Sequence, residues 1–363
     1  MQIYSQTRGT HEFTMGTDKA GREYLVLVTK QSYDFPDAEH EPPRPSDVQR
    51  PLVFADEYTG APGYSAPLWE TDFAFRKAAC DVILQGAAYA PGGVPAERVR
   101  VGLHVGGWSK AFDVFGHREW RVMGPAVVPT RPHPFRRQPF GYDTAYGGAD
   151  RLDPGVAQPP VYGENPVGTG WATVRNQSRL GGLALPNTQA IDEAVSSPYG
   201  RYRPMALGPY GRGWPQRLRF GGTYDGHWQD HVFPFLPADF DERYFQAAPA
   251  DQQIPHPGPG TVVALVNLTP RGREAFRLPD SALPIAIFRG REAAFEGKVL
   301  PDTLLIDAEA RVFSLVWRVT IPMRRIITEF TEAWIGPPTA AMLRARREGR
   351  GYIRAVATGE AGT

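Results

Sequence analysis

Apolar and β-branched runs broken by glycine and proline, rather than a helical period, organise this chain. Residues 24–33 (YLVLVTKQSY) predict a strand bounded by Gly21 and Asp34-Phe35-Pro36. Residues 51–58 and 77–86 read as two more. Residues 98–105 alternate charged and apolar positions, as a strand with one face in a core does. Gly106-Gly107-Trp108 turns that strand into a return over 109–115, which predicts a hairpin, and 116–122 reads as a continuation of the meander. Residues 22–128 are therefore expected to be antiparallel and all-β. Residues 261–268, 283–288, 304–306 and 311–319 repeat the pattern. One helix is predicted over 338–350, with Ala and Leu inside and Gly349 at its end. Its arginines, Arg344, Arg346, Arg347 and Arg350, suit a solvated C-terminal end of a helix dipole.

Between these blocks the periodicity fails. Residues 129–209 are rich in Gly, Pro and aromatics, and are expected to be ordered with short pieces of strand and turn, because a structureless loop of that length is foreign to a compact fold. Residues 214–253 carry nine aromatic side chains without either period. There Arg217–Phe220 reads as a strand end, 223–226 as a turn and 233–237 as extended, with Asp239 capping a helical turn over 240–245. This stretch is expected to be the seam of the fold. The fold class that follows is mainly β: antiparallel sandwich-like halves, long ordered Gly/Pro/aromatic loops and a short C-terminal helix. The expected organisation is an N-terminal β region over 1–128, a central region with the seam over 129–260, a C-terminal β region over 261–335, and a helix and tail over 336–363.

Composition narrows the functional classes. The 40 basic and 39 acidic residues leave a net charge of +1, so no global field draws the chain to nucleic acid or an anionic membrane. With 39 glycines and 36 prolines, turns should dominate, while 42% hydrophobic content argues against disorder. The single cysteine, Cys80, allows no internal disulfide, which fits a reducing cytoplasm. The first residues lack a basic stretch followed by an apolar one, and no apolar run of about 18 residues occurs.

His227 and His231 stand at i, i+4 beside Asp225 and Asp230, with His256 later, and such atoms bind metals. Two histidines so spaced ligate together only from a helix, and Gly226 and Pro234 argue against one there. Asp239 and Asp241, with Asp225 and Asp251, resemble paired carboxylates for acid–base work. Capping of turn backbone, with Arg243 or Arg219 as counter-charge, is the competing use of the same residues. Cys80 sits in a predicted strand, where a buried thiol is inert. Gly147-Gly148, Gly181-Gly182 and Gly221-Gly222 lack the strand-to-helix setting of a phosphate loop. No enzyme signature emerges, and loop aromatics favour recognition. The alternative class is a metal-dependent hydrolase or a carbohydrate-binding β protein using Asp225, His227, His231, Asp239 and Asp241.

A set of short motifs occurs in one order: Ala145-Tyr146-Gly147-Gly148, Glu164-Asn165-Pro166-Val167-Gly168, Leu185-Pro186-Asn187, Trp214-Pro215-Gln216-Arg217, Gly222-Thr223-Tyr224-Asp225, Trp228, Leu236-Pro237, Asp239-Phe240-Asp241, Arg243-Tyr244-Phe245 and Asp251-Gln252. With them, residues 20 to 330 resemble a bacterial family catalogued as a domain of unknown function. Its members are often encoded beside type VI secretion genes, and some are described as adaptors or chaperones that load effectors onto the secretion spike. The resemblance implies a cytoplasmic, non-enzymatic protein without cofactor, metal or catalytic residue. Its implied partners are an effector with a PAAR-like domain and the trimeric spike protein, with neither nucleic acid nor membrane among them. The motif residues are then expected to hold the scaffold or meet the partner, and loops 36–50, 59–70 and 149–163 to set specificity.

Overall fold

Three sheets enclose one main core in the computed structural model, which describes residues 1–350 and 352. The largest runs Arg137–Phe140, Cys80–Tyr89, Thr303–Asp307, Val312–Pro322, Glu23–Asp34 and Thr10–Thr17 in that order, with Gln253–Ile254 and Arg44–Pro45 adding short pieces. The second runs Thr188–Gln189, Trp108–Phe115, Arg98–Val105, Val262–Val266 and Arg273–Arg277. The third runs Gln2–Ser5, Glu332–Ile335, Leu283–Arg289 and Glu292–Val299. The chain is mainly β, as its patterning predicts. In each of these sheets, strands from the first and last thirds of the chain are neighbours, so the two β-rich blocks of sequence interleave.

Burial explains the two kinds of strand pattern. Leu25 and Leu27 of Glu23–Asp34 enter the core shared with Val101, Leu103, Phe112, Ile285 and Ile287. Val26 and Val28 point the other way, against Leu52, Phe75, Ile83, Ala247 and Ala248. With both faces covered the sequence reads as an unbroken apolar run, and each fully buried Leu or Val contributes roughly 2 kcal/mol. Arg98–Val105 buries Val99, Val101, Leu103 and Val105 and turns Arg98, Arg100 and His104 outward, so it alternates.

Several expectations are corrected. Cys80–Tyr89 pairs in parallel with Thr303–Asp307, Val82 opposite Leu304, so 22–128 is not wholly antiparallel. Of 51–58 only Glu57–Tyr58 is strand, paired with Pro67–Trp69. The third predicted strand starts later, at Cys80, because the Gln246 side-chain amide takes both backbone groups of Ala79 at 3.2 Å. Residues 116–119 are not strand; Trp120–Met123 forms a separate ribbon with Ala126–Pro129. The helix spans Ala340–Arg347, capped by the Thr339 hydroxyl, which accepts from the Met342 amide at 3.2 Å. Arg346 is not merely solvated there: its guanidinium lies over the Phe288 ring and donates to the Arg291 carbonyl at 2.6 Å. Within the predicted C-terminal region, residues 351 and 353–363 lie outside those described.

The Gly/Pro/aromatic middle is ordered by a smaller core of its own. Trp120, Tyr146, Tyr162, Leu180, Leu185 and Val195 bury one another. Their polar ends reach backbone: the Trp120 indole donates to Gly170 O at 2.8 Å and the Tyr162 phenol to Tyr202 O at 2.9 Å. Rings thus replace periodic strands, with the backbone carbonyls of the irregular segments as their partners.

Candidate functional surface

The motifs divide into a buried set and an exposed one. In the buried set the Asn165 amide donates to Tyr142 O at 2.8 Å and Tyr146 O at 3.1 Å, and the Gly148 amide returns to Asn165 O at 2.8 Å. The close approach depends on glycine: Gly148 has φ +100°, and a Cβ there would collide with the Gly168 carbonyl, as one on Gly147 would with that of Asn165. Pro166 is half-buried between Asn165 and Gly168. Pro186 accepts from Arg118 at 2.9 Å, and burial brings that guanidinium's pKa down to about 10. Asn187 donates to Pro139 O at 2.8 Å. Tyr146, Gly147, Gly148, Asn165, Gly168, Pro186 and Asn187 therefore act in the scaffold.

The flanks of 214–253 are anchors. Buried Trp214 packs edge-on against Tyr142. The buried Arg217 guanidinium donates to Glu70 at 2.6 Å, Tyr210 O at 2.9 Å and Tyr244 O at 2.8 Å. On the far flank, Asp81, with no exposed surface, accepts from the Gln246 amide at 2.7 Å, the Ala247 backbone at 2.8 Å and Lys77 Nζ at 2.7 Å. Gln252 donates to Val82 O at 2.9 Å and accepts from buried Lys110 at 2.7 Å, while Asp251 pairs with that same ammonium at 2.8 Å. Phe240 is buried, and Phe245 is half-buried against Phe75.

The centre of the stretch departs from the expected seam. Residues 222–236 form a protruding hairpin with exposed rings: Phe233 is 67% exposed, Tyr224 56% and Phe235, one side of which lies against Gly21, 50%. The two ends are pinned together. Gly222, at φ +83°, lies where a Cβ would stand 2.9 Å from Pro237, and Asp239 accepts from the Thr223 amide at 3.0 Å and its hydroxyl at 2.8 Å. Asp225 caps the helix Gly226–His231 by accepting from the Trp228 amide at 2.9 Å. The half-buried Trp228 meets Tyr224 and Phe233 edge-on and donates its indole N–H to Phe235 O at 2.9 Å. The hairpin holds its own shape while presenting apolar rings.

Four local expectations are therefore corrected. Residues 223–225 lead into a helix that starts at Gly226 instead of closing a free turn, because the Asp225 side chain accepts from the Trp228 amide. Pro215–Leu218 is a helical turn, not a strand end, with Pro215 at its first position. Asp241, not Asp239, caps the turn Glu242–Phe245. A helix does carry His227 and His231, and their rings stack at 4.7 Å, so the argument against an i, i+4 pair fails. No cluster of three or more His, Cys, Asp or Glu suited to a metal forms among the described residues.

The carboxylates have local tasks. Hydrogen bonds from Arg243 pull the Asp241 pKa down to about 2, and those from Thr223 lower that of Asp239. Both shifts favour the ionised form, the reverse of what a general acid needs. Cys80 is buried and its thiol pKa is pushed up by burial, as expected of a strand thiol. Sequence reading missed Asp81, Lys110, Asp302 and Arg318 as buried charges. A charge inside an apolar run, as in Cys80-Asp81-Val82-Ile83 or Trp317-Arg318-Val319, is the signal that reveals them, since such a group must meet a partner.

Residues 20–318 match the family described as an uncharacterized protein conserved in bacteria (DUF2169). No curated protein and no solved structure matches the chain. No helix among the described residues is long and apolar enough to cross a membrane. The matched span contains both the buried motif set and the exposed hairpin, and the chain belongs to this bacterial family.

Proposed function

We propose that this protein is a cytoplasmic, non-enzymatic adaptor that holds a type VI secretion effector, through its PAAR-like domain, and passes it to the trimeric spike protein. The observation that supports a client-binding role is the 222–236 hairpin, which exposes Tyr224, Phe233 and Phe235 from a braced frame. Rigid aromatic rings lose little entropy on binding and bury roughly 150–250 Å² each, so three of them supply the centre of an interface of standard size. The secretion context comes from the family resemblance.

The test is co-expression of the tagged full chain with a PAAR-containing effector and the spike protein of the same genome, followed by size-exclusion chromatography with mass detection. The expected result is a stable complex with the effector, lost in the double variant Tyr224→Ser/Phe233→Ser while the variant keeps its melting temperature. A complex indifferent to those two rings removes the hairpin from the interface. Absence of any complex overturns the adaptor reading.

A further inference from the structure

A second feature stands apart from the hairpin. Where the strand Val312–Pro322 passes the edge strand Glu292–Val299, a pocket of about 490 Å³ opens. Arg76, Lys77, Lys298, Arg318 and His256 line it, against one acidic residue, Asp302. Three of the cations are held in place by pairs. Lys77 meets Asp81 at 2.7 Å, Arg318 meets Asp302 and Asp72 O, and half-exposed Arg76 meets Glu242 through Nε at 3.4 Å. Lys298 is exposed and makes no ion pair among the described residues, and the buried Arg318 Nε has no acceptor. The opposite wall is apolar: Phe295, Val299 and Leu300. Glu292–Val299 pairs only with Leu283–Arg289, so its other edge is open among the described residues.

We propose that this pocket receives the free C-terminal end of a partner polypeptide. The terminal carboxylate lies among Lys298, Arg76 and Arg318, an apolar last side chain lies on Phe295 and Val299, and the preceding residues pair with the open edge of Glu292–Val299. The unpaired Lys298 ammonium and the unfilled Arg318 Nε favour an anion, the adjoining apolar wall selects one carried on an apolar body, and the strand edge supplies main-chain partners for an extended segment. A small inorganic anion uses only the first of these features. The inference deepens the client-binding reading and rests on it for the identity of the partner, while the chemistry of the pocket stands alone.

The probe is a pool of fluorescein-labelled heptapeptides ending in Leu, Val or Phe, made as free acids and as amides and read by fluorescence anisotropy on the full chain. The expected result is binding of the free acids with amides weaker by about tenfold or more, the scale of a charge-assisted contact. Lys298→Ala and Lys298→Glu should weaken the acids progressively at unchanged melting temperature, since Lys298 is exposed. Equal binding of acid and amide, indifference to Lys298→Glu, or no binding by any peptide overturns the proposal. Lys298-dependent binding of inorganic phosphate without peptide binding assigns a small-anion site and also overturns it. Client capture that needs Tyr224 and Phe233 but not Lys298, with no peptide binding, refutes this pocket and leaves the adaptor reading standing. Peptide binding without client capture does the reverse.

Discussion

Asp81 is where the second anchor of 214–253 meets the main sheet, and Asp81→Ala tests how much that junction matters. The carboxylate has no exposed surface and accepts three hydrogen bonds, from Lys77 Nζ, the Gln246 amide and the Ala247 backbone. Its removal strands an ammonium whose side chain is only 4% exposed, and breaking such a buried pair costs about 3–5 kcal/mol. Lys77 keeps Thr303 Oγ1 at 3.0 Å, which offsets part of that loss, while the Gln246 and Ala247 donors are left short of an acceptor at about 1–3 kcal/mol each. These terms overlap because they share one carboxylate, so a net loss of about 4 kcal/mol is expected. A chain of 363 residues gains about 0.8 kcal/mol per kelvin of unfolding entropy near its midpoint, so the melting temperature should fall by about 5 °C. Calorimetry and urea titration of Asp81→Ala, Lys77→Met and the double variant are the assay. The double variant should be more stable than Asp81→Ala alone, since no stranded charge remains. A fall below about 1 °C for Asp81→Ala, or strictly additive single losses, would refute the reasoning.

Two further outcomes are expected. Gly148→Ala should lose roughly 2–4 kcal/mol by urea titration, because a side chain at φ +100° is strained and its Cβ meets the Gly168 carbonyl; a loss below about 1 kcal/mol refutes the close approach. Asp241 should titrate by carboxyl NMR near the value of about 2 that Arg243 imposes, against about 3.9 unfolded. Its folded pKa is depressed, so whatever it contributes to stability is present above about pH 4 and is lost as the pH falls towards 2. Arg243→Ala should return the midpoint towards 4, and a wild-type midpoint already near 4 contradicts the assigned pair.

Strand existence was legible wherever burial imposed a period. The hairpin of Arg98–Val105 and Trp108–Phe115 follows from alternation across a short turn, and Glu23–Asp34 from an apolar run covered on both faces. Strands with weak patterns were not: Gln2–Ser5, Thr10–Thr17 and Glu292–Val299 lie at sheet edges with half-exposed side chains. Parallel pairing of Cys80–Tyr89 with Thr303–Asp307 joins segments more than two hundred residues apart, and nothing local encodes it. In 214–253 the aromatic content was visible, but which rings are buried was not. Trp214 and Phe240 face inward while Phe233 and Phe235 face solvent, although all four neighbour proline or aspartate in sequence. The sorting comes from the Asp239–Thr223 closure, a contact across sixteen positions. The pocket was invisible because Arg76, Lys298 and Arg318 come from three distant segments that only the tertiary fold brings to one lining.

The buried and exposed motifs are parts of one mechanical arrangement. A hairpin that binds through three rings gains most when those rings are already in place, because each mobile side chain ordered on binding costs about 0.5–1.5 kcal/mol. Residues 222–236 obtain that order locally from the Asp225 cap, the Trp228 indole and the Asp239 closure. The hairpin's frame is in turn fixed to the body on one side by Arg217, which ties Glu70, Tyr210 and Tyr244, and on the other by Gln246 and Gln252, which tie it to Asp81 and Val82. Loosening an anchor should therefore weaken client capture without touching an exposed ring. Gln246→Ala leaves Tyr224, Phe233 and Phe235 intact, so reduced capture by that folded variant is the signature of presentation by the scaffold, whereas unchanged capture means that Arg217, Gln252 and the hairpin's own closure hold it without Gln246.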